Sequence, residues 1–590
     1  MKTISKFFLA VITMSVMVAC SSDNDFFSDD DNVTPSSEGS SGSVDNASEL
    51  ISFTVAIDKT TAEPSSSASA LYPEAGDAPS SQSFGTIVNI NMSNPTDPGV
   101  SGVTVTLDGN NVVTDHGSTE GVCYVVTGST SNGSLQINGS KNFKLQLNNA
   151  TIANTSTVAI DLESKMSAYV ELVGTNKVTD GAAADDSHKG AIYSKGKLFV
   201  CGTGSLEVYG TYANGIHGKS NVVVEKGVNL YVNSTAKHAI KAGADMFING
   251  GIVNVETSGD AGKGINVDTD IYISGGRTTA ITTGDGTWDE DDLDTKAAAG
   301  IASDNNFYLY DGEVYVWSKG SGGKGIKADN AAYIQGGKIR ALTTGGLYYN
   351  NGTTENTNYR GNTDNLSSNV TSSPKGIKIG TKTEVNGVVT EVYGTLVISG
   401  GDIMVRTTGY NAEGIESKGT LDITGGQVLV YAYDDGINST SDLTISNGTV
   451  MACSQSNDGI DSNGNMYIKG GTLIAVGANG AEAGIDTDES HALTITGGTV
   501  FGIGGRIDTK FSGCTQAFAV TSGSVAANAA ISVASGSSTL KSFTAAPVSG
   551  NGTILVSVPG MTSGGSYTLK LGSSSKSISG VTSYNSGGRF

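Results

Sequence analysis

The chain is short of the residues that most enzymes rely on. Its 590 residues include five cysteines, five histidines, nine prolines and only 7% aromatics. Cys123, Cys201, Cys453 and Cys514 fit no metal-binding spacing and read as small apolar strand residues. No Ser/His/Asp set, phosphate loop or zinc motif can be assembled, and His217 and His238 sit in repeat turns as structural or surface residues. Basic residues are also scarce. Thirty-five Lys and Arg against 57 Asp and Glu give a net charge of −22, which argues against a nucleic-acid partner. The one long apolar run, FFLAVITMSVMVA, is at the N-terminus, behind Lys2 and Lys6 and before Cys20. It is too short to span a bilayer and reads as a signal peptide, residues 1–19.

MVAC resembles a bacterial lipobox, with Met17 where Leu is usual. Cys20 is then the lipidated first residue, and the lipid anchor is the only membrane contact. Residues 20–48, with SSDNDFFSDDDN, read as a disordered acidic tether. Acids directly after a lipidated Cys resemble surface-export signals. The expected location is the outer membrane, at the surface of a Gram-negative cell.

What is abundant is glycine, 81 residues, and it is periodic. The Ile residues of Gly-Ile or Ala-Ile pairs are Ile192, Ile216, Ile240, Ile265, Ile301, Ile326, Ile377, Ile415, Ile437, Ile460 and Ile485, and seven of the ten gaps are 22–25 residues. The longer gaps hold insertions. About ten residues after each Ile comes a Gly-Gly or equivalent, flanked by alternating apolar residues such as Leu421/Ile423 and Val428/Val430. Period-two alternation means strands with one buried face. Three short strands per repeat predict an all-β parallel β-helix of about 11 coils, with Gly supplying the positive φ of its turns. The N-terminal β segment and capping coil are placed at 49–142, the β-helix at 143–505 and a small C-terminal β cap at 506–590. A monomer is expected.

From Phe143, the stretch FKLQLNNATIANTSTVAIDLESKMSAYVELVGTNKVTDG, the later DGINS and DGIDS, and the repeated ITGG resemble the bacterial carbohydrate-binding domain-containing β-helix family. Its first-characterised members are clostridial cellulose- and polygalacturonate-binding proteins. The resemblance runs to about Gly505. It implies a right-handed parallel β-helix, bound Ca²⁺ and affinity for acidic or cellulosic polysaccharide, with a fold like that of pectate lyases. Family members commonly read Asp-Gly-Ile in most coils; the middle coils here read Lys-Gly-Ile.

Coils in register stack equivalent residues about 4.8 Å apart, so outward positions form ladders. Around Gly-Ile the charge changes sign along the chain. Lys324, Lys327, Lys375 and Lys378 form a basic patch; Glu413, Glu416, Asp435, Asp458, Asp461 and Asp486 form an acidic one. The acids read either as a solvated face or as Ca²⁺ ligands, because a hard cation takes six to eight oxygens. The lysines read as surface residues, as an anion platform for uronates, or, in a Ca²⁺-dependent lyase, as a base at Lys324 or Lys375. A third ladder contains Tyr272, Tyr308 and Tyr333, either a stabilising stack or a row for sugar rings. A fourth is apolar, Met404, Leu429, Met451, Ile474 and Phe501, and needs a cover, expected from the C-terminal part. Three functions stand: a Ca²⁺-dependent, non-catalytic polysaccharide-binding lipoprotein; a polysaccharide lyase; and an adhesin or structural solenoid.

Overall fold

A computed structural model describes residues 47–181, 188–363, 366–385, 388–507 and 509–584, and of 382–393 the backbone only. The leader, Cys20 and most of the acidic tether lie outside these residues. Among the described residues the chain is all-β apart from two three-residue 3-10 turns. The Gly-Ile strands build one 15-stranded sheet, in which Ile192, Ile216, Ile240, Ile265 and each later repeat Ile are direct parallel partners. The second and third strands of each coil build a 29-stranded sheet on the other sides of the solenoid. The inward Ile, Val and Leu side chains form a continuous core from Val88 to Leu555.

The coil number differs from the 11 expected. Four further strands precede Ile192 in the same sheet: Ile160–Leu162, Ser134–Asn138, Asn111–Asp115 and Thr104–Asp108. The solenoid has about 15 turns, and parallel pairing begins well before Phe143, with Thr86–Asn91 on Val122–Thr130. Three of these strands have neither Gly nor Ala before the inward apolar residue, and Ala159-Ile160, which has the pair, precedes Ile192 by more than the 22–25 residue period, so the periodic count passes over all four. Thr104–Asp108 and Asn111–Asp115 pair antiparallel and close that end of the sheet.

Glycine has two different tasks in each coil. The second Gly of the Gly-Gly landmark is left-handed, as at Gly426 (φ 76°) and Gly471 (φ 74°), where a Cβ is strained. The Gly of Gly-Ile is not left-handed. It is there for space. A Cβ on Gly459 would lie 2.6 Å from the carbonyl oxygen of Gly484, one coil on, and 2.8 Å from the amide of Val476. A Cβ on Gly436 would lie 2.4 Å from the carbonyl oxygen of Gly459. The glycines stack, each against the backbone of the next.

The apolar ladder is in register and fully buried: Met404, Leu429, Met451 and Ile474 are 0% exposed and Phe501 is 1%. The C-terminal part covers it. Gly550–Ser557 pairs antiparallel with the last third strand, Thr499–Gly504, and a four-stranded sheet places Ile531, Val533, Phe543 and Leu569 in the same cluster. A second cover comes from the N-terminal side. Residues 47–84 run as a strap along the outside of the solenoid, with Leu50, Phe53 and Val55 buried in that cluster. Farther along, Lys59 pairs with Glu207 at 2.7 Å, the Asn249 side chain clasps the backbone of Leu71, and Lys197 pairs with Asp77 at 2.9 Å.

The insertions surround the basic coils. The hairpin Thr287–Asp289/Asp294–Lys296 and the small sheet of Tyr348–Asn350, Glu355–Asn356 and Thr371–Ser372 both precede a Gly-Ile strand. They join into one lobe, in which Thr295 Oγ1 donates to Thr371 O at 3.0 Å. The hairpin Thr381–Val385/Val388–Tyr393 follows the Lys375 strand on its other edge.

Candidate functional site

Just after each inward Ile, one outward residue per coil forms a ladder in the order Ala302, Lys327, Lys378, Glu416, Asn438, Asp461 and Asp486. Two residues before the Ile runs a second ladder: Ala299, Lys324, Lys375, Glu413. The register predicted from spacing is the register observed, and it brings the basic and acidic patches end to end on one face.

At the junction the charges cancel. Lys375 pairs with Glu413, and its Nζ is 3.3 Å from Glu416 Oε1; Lys418 also pairs with Glu416. Burial alone would depress Lys375, but Glu413 and Glu416 outweigh it and hold the ammonium above its ordinary range. Burial would raise Glu416, and Lys375, Lys418 and Lys378 outweigh it in turn, keeping Glu416 well below the carboxylate range. Glu413 and Glu416 are thus committed to lysines, and the cation-ligand reading of the sequence does not carry over to them.

Beyond the junction the acids face one another. Asp458, Asp461 and Asp486 each bring one carboxylate oxygen within 4.8 Å of the others. Burial, then Asp458 and Glu413, push Asp461 up to about 7. Burial, then Glu413, Asp434 and Asp461, push Asp435 well above its ordinary value. Asp435 does structural work: its Oδ1 accepts the Asp458 amide at 3.1 Å and its Oδ2 accepts Asn438 Nδ2 at 3.0 Å. Asp458 repeats this by accepting the Ala483 amide. The acids before Gly-Ile therefore bond coil to coil. Asp461 and Asp486, after it, face outward. An all-oxygen set of carboxylates that resist joint ionisation suits a hard dication such as Ca²⁺, which would relieve the repulsion without a proton.

The lysines are not equivalent. Lys324 is 5% exposed, and its Nζ donates to Gly322 O at 2.7 Å, Ser372 Oγ at 2.9 Å and Ser373 O. It anchors the insertion lobe, and burial, then Lys378 and Lys375, press its pKa well down. Lys324 and Lys375 consequently present no free ammonium, which removes both from the anion platform and from the role of base. Lys327 pairs with Asp329 at 2.8 Å. Lys378 is partly exposed, with no hydrogen bond or ion pair among the described residues. Burial, only partly offset by Glu416 and reinforced by Lys327, pulls it down to about 8.

The tyrosine ladder is in register from Phe247 through Tyr272 and Tyr308 to Tyr333. Ring centroids are 4.9, 4.8 and 5.2 Å apart with interplanar angles of 11°, 4° and 11°. The ring faces are spent on each other, so a sugar would meet edges and hydroxyls. This is the stabilising stack, and Tyr272, Tyr308 and Tyr333 form no platform for a pyranose face. Trp317 and Tyr315, on the next strand, pack against the cluster that contains the strap.

One constellation escaped the sequence reading. Asp161, Glu163 and His188 also lie within 4.8 Å of one another, with His188 Nε2 2.7 Å from Glu163 Oε1 and Lys195 on Glu163 at 2.8 Å. The signal was present: Ala159-Ile160-Asp161 is the same motif one coil before Ile192. His238 is structural as expected, its Nδ1 accepting the Lys263 amide at 3.1 Å. The described cysteines are free, with Cys123, Cys201 and Cys453 buried.

No curated protein matches the chain. A solved structure described as a "polysaccharide lyase-like protein from C. thermocellum, Gadolinium derivative" is similar at 16% identity and TM-score 0.31, over 44% of this chain and 90% of that one, a likeness too slight to carry functional weight. The model of the family "Carbohydrate-binding domain-containing protein" matches residues 108–263, 228–395 and 393–574. These matches take in most of the solenoid and much of the cap, and the chain belongs to that family.

Proposed function

We propose that the protein is a surface-anchored lipoprotein that binds polysaccharide, with Ca²⁺ at its acidic coils and without chemical turnover. The observation that carries the reading is the Asp458, Asp461 and Asp486 set, on the same face as a basic stretch that ends in the unpaired Lys378, with the Glu416 and Asn438 rungs between them. A polyuronate has what both halves take: carboxylates for a bound dication and carboxylates for an ammonium. Ca²⁺ would be held by these three aspartates and would supply a bridge to sugar oxygens. The family name supports a carbohydrate ligand. The anchor at Cys20 and the outer-membrane location rest on the N-terminal sequence.

A lyase is the second reading, and one residue favours it. Lys378 is partly exposed, unpaired and depressed to about 8, the state a general base needs near neutral pH. The test is incubation of the purified protein with polygalacturonate, with and without EDTA. Retention that EDTA abolishes, with no unsaturated product by ultraviolet absorbance, supports binding. Unsaturated product makes the protein a lyase. Neither result leaves an adhesin or structural solenoid.

A further inference from the structure

With the tyrosine ladder closed to sugar faces, two other aromatic rings near the acidic coils share one corner. Tyr410 and Tyr433 occupy the turns that lead into the Glu413 strand and the Ile437–Ser439 strand. Both are partly exposed, and their rings meet at 5.6 Å and 60°. Rings tilted in this way do not consume each other's faces as the parallel stack does. The insertion lobe rises beside them: the Tyr359 amide bonds to Leu347 O at 2.9 Å, and the next residue, Arg360, carries its guanidinium over the Tyr410 ring, 5.3 Å from its centroid. Arg360 is exposed, and among the described residues it has no ion pair or hydrogen bond. On the other side, Asp434 directly follows Tyr433, is fixed by Asn457 Nδ2 at 2.9 Å, and stands close enough to Asp435 to help raise its carboxyl. The corner therefore joins the insertion lobe to the acidic coils.

We infer that the corner formed by Arg360, Tyr410 and Tyr433 is a sugar subsite that takes a uronic-acid residue of the bound chain. The pyranose face lies on Tyr433, and the carboxylate pairs with the guanidinium fork that Tyr410 carries on its ring. An aromatic ring covers the apolar C–H face of a pyranose, and Arg matches a carboxylate with two parallel N–H donors. The lobe is an insertion into one coil, so it can set specificity without altering the solenoid.

This inference rests on the binding function proposed above, and the experiment separates the two. Wild type, Tyr433→Ala and Arg360→Gln are titrated calorimetrically with CaCl₂ alone, then with oligogalacturonate in Ca²⁺, then with a neutral cello-oligosaccharide. The expected result is a loss of at least about tenfold in oligogalacturonate affinity for each variant. Calcium affinity stays as in wild type, which also shows that the variants are folded. Arg360→Gln should in addition lose the preference for the acidic over the neutral oligosaccharide. Wild-type affinity in both variants overturns the subsite and leaves the function standing. Joint loss of calcium and glycan binding also overturns it, because the corner would then only support the fold. If wild type binds neither oligosaccharide, the functional reading and the subsite fall together.

Discussion

Lys375 and Glu413 are register partners in consecutive coils, and their side chains form an ion pair at the point where the face changes sign. Lys375 also reaches Glu416, so one buried ammonium serves two carboxylates. Lys375→Met would leave both without that ammonium. Removing one partner of a buried pair typically costs about 3–5 kcal/mol. Chemical denaturation should show a loss of that order, and the further change Glu413→Gln in the same chain should recover part of it. A loss under about 1 kcal/mol would mean that Lys418 suffices.

The proposed cation site makes a sharper demand. Asp461→Asn removes an outward carboxylate and leaves the coil-to-coil bonds of Asp435 and Asp458 in place. Calcium affinity should fall by at least about tenfold while the metal-free stability holds or rises, because a repelling charge is gone. At about 100 times its dissociation constant, Ca²⁺ should stabilise wild type by about 2.7 kcal/mol against unfolding, and the variant by much less at the same concentration. Unchanged calorimetric titration of Asp461→Asn and Asp486→Asn would leave the acids as a solvated face.

Lys378 predicts a pH dependence. Its folded pKa, about 8, lies below the ordinary lysine value of 10.5. The folded state thus binds fewer protons than the unfolded chain between those values, and stability rises with pH in that window. Below about pH 8 the full cost of burying the charge is present, about 3 kcal/mol at 1.36 kcal/mol per pH unit between the two values. Lys378→Met should therefore stabilise the protein at pH 7, and the gain should vanish by about pH 10.5. A gain that is flat across this range would place the lysine in solvent.

The two kinds of glycine task can be separated by one methyl group. Gly459→Ala drives a Cβ into the Gly484 carbonyl and should cost several kcal/mol or prevent folding, although the backbone there is not left-handed. Gly85→Ala meets nothing within 4 Å and should fall within about 0.5 kcal/mol of wild type. Melting temperatures of the pair decide the matter.

The strap should detach without the solenoid. Phe53 is buried in the apolar cluster that contains Met404, and Phe→Ala at such a site costs about 3–5 kcal/mol. Few other apolar side chains hold residues 47–57, so the loss should appear as local opening. Limited proteolysis should cleave Phe53→Ala within 47–84 faster than wild type, with the far-ultraviolet circular dichroism of the coils unchanged. Global unfolding instead would make the strap part of the cooperative core.

The sequence by itself determined the solenoid, its strand register and the sign change along one face. Those follow from a period: an Ile at every 22–25 residues can only stack on its equivalents, and whatever stands beside it must stack too. The apolar ladder was legible for the same reason, as was its need for a cover. Only the tertiary structure decided what the ladders do. Whether Lys324 faces a ligand or the Ser372 hydroxyl depends on an insertion 48 residues away that folds back over it. Whether tyrosines offer faces or edges depends on ring orientation, which spacing does not encode. NDGIDSNG shows both levels. Gly459 is there because no Cβ fits, Ile460 is there for the core, Asp458 bonds the next coil, and Asp461 is left to face outward, among the carboxylates proposed to hold a cation.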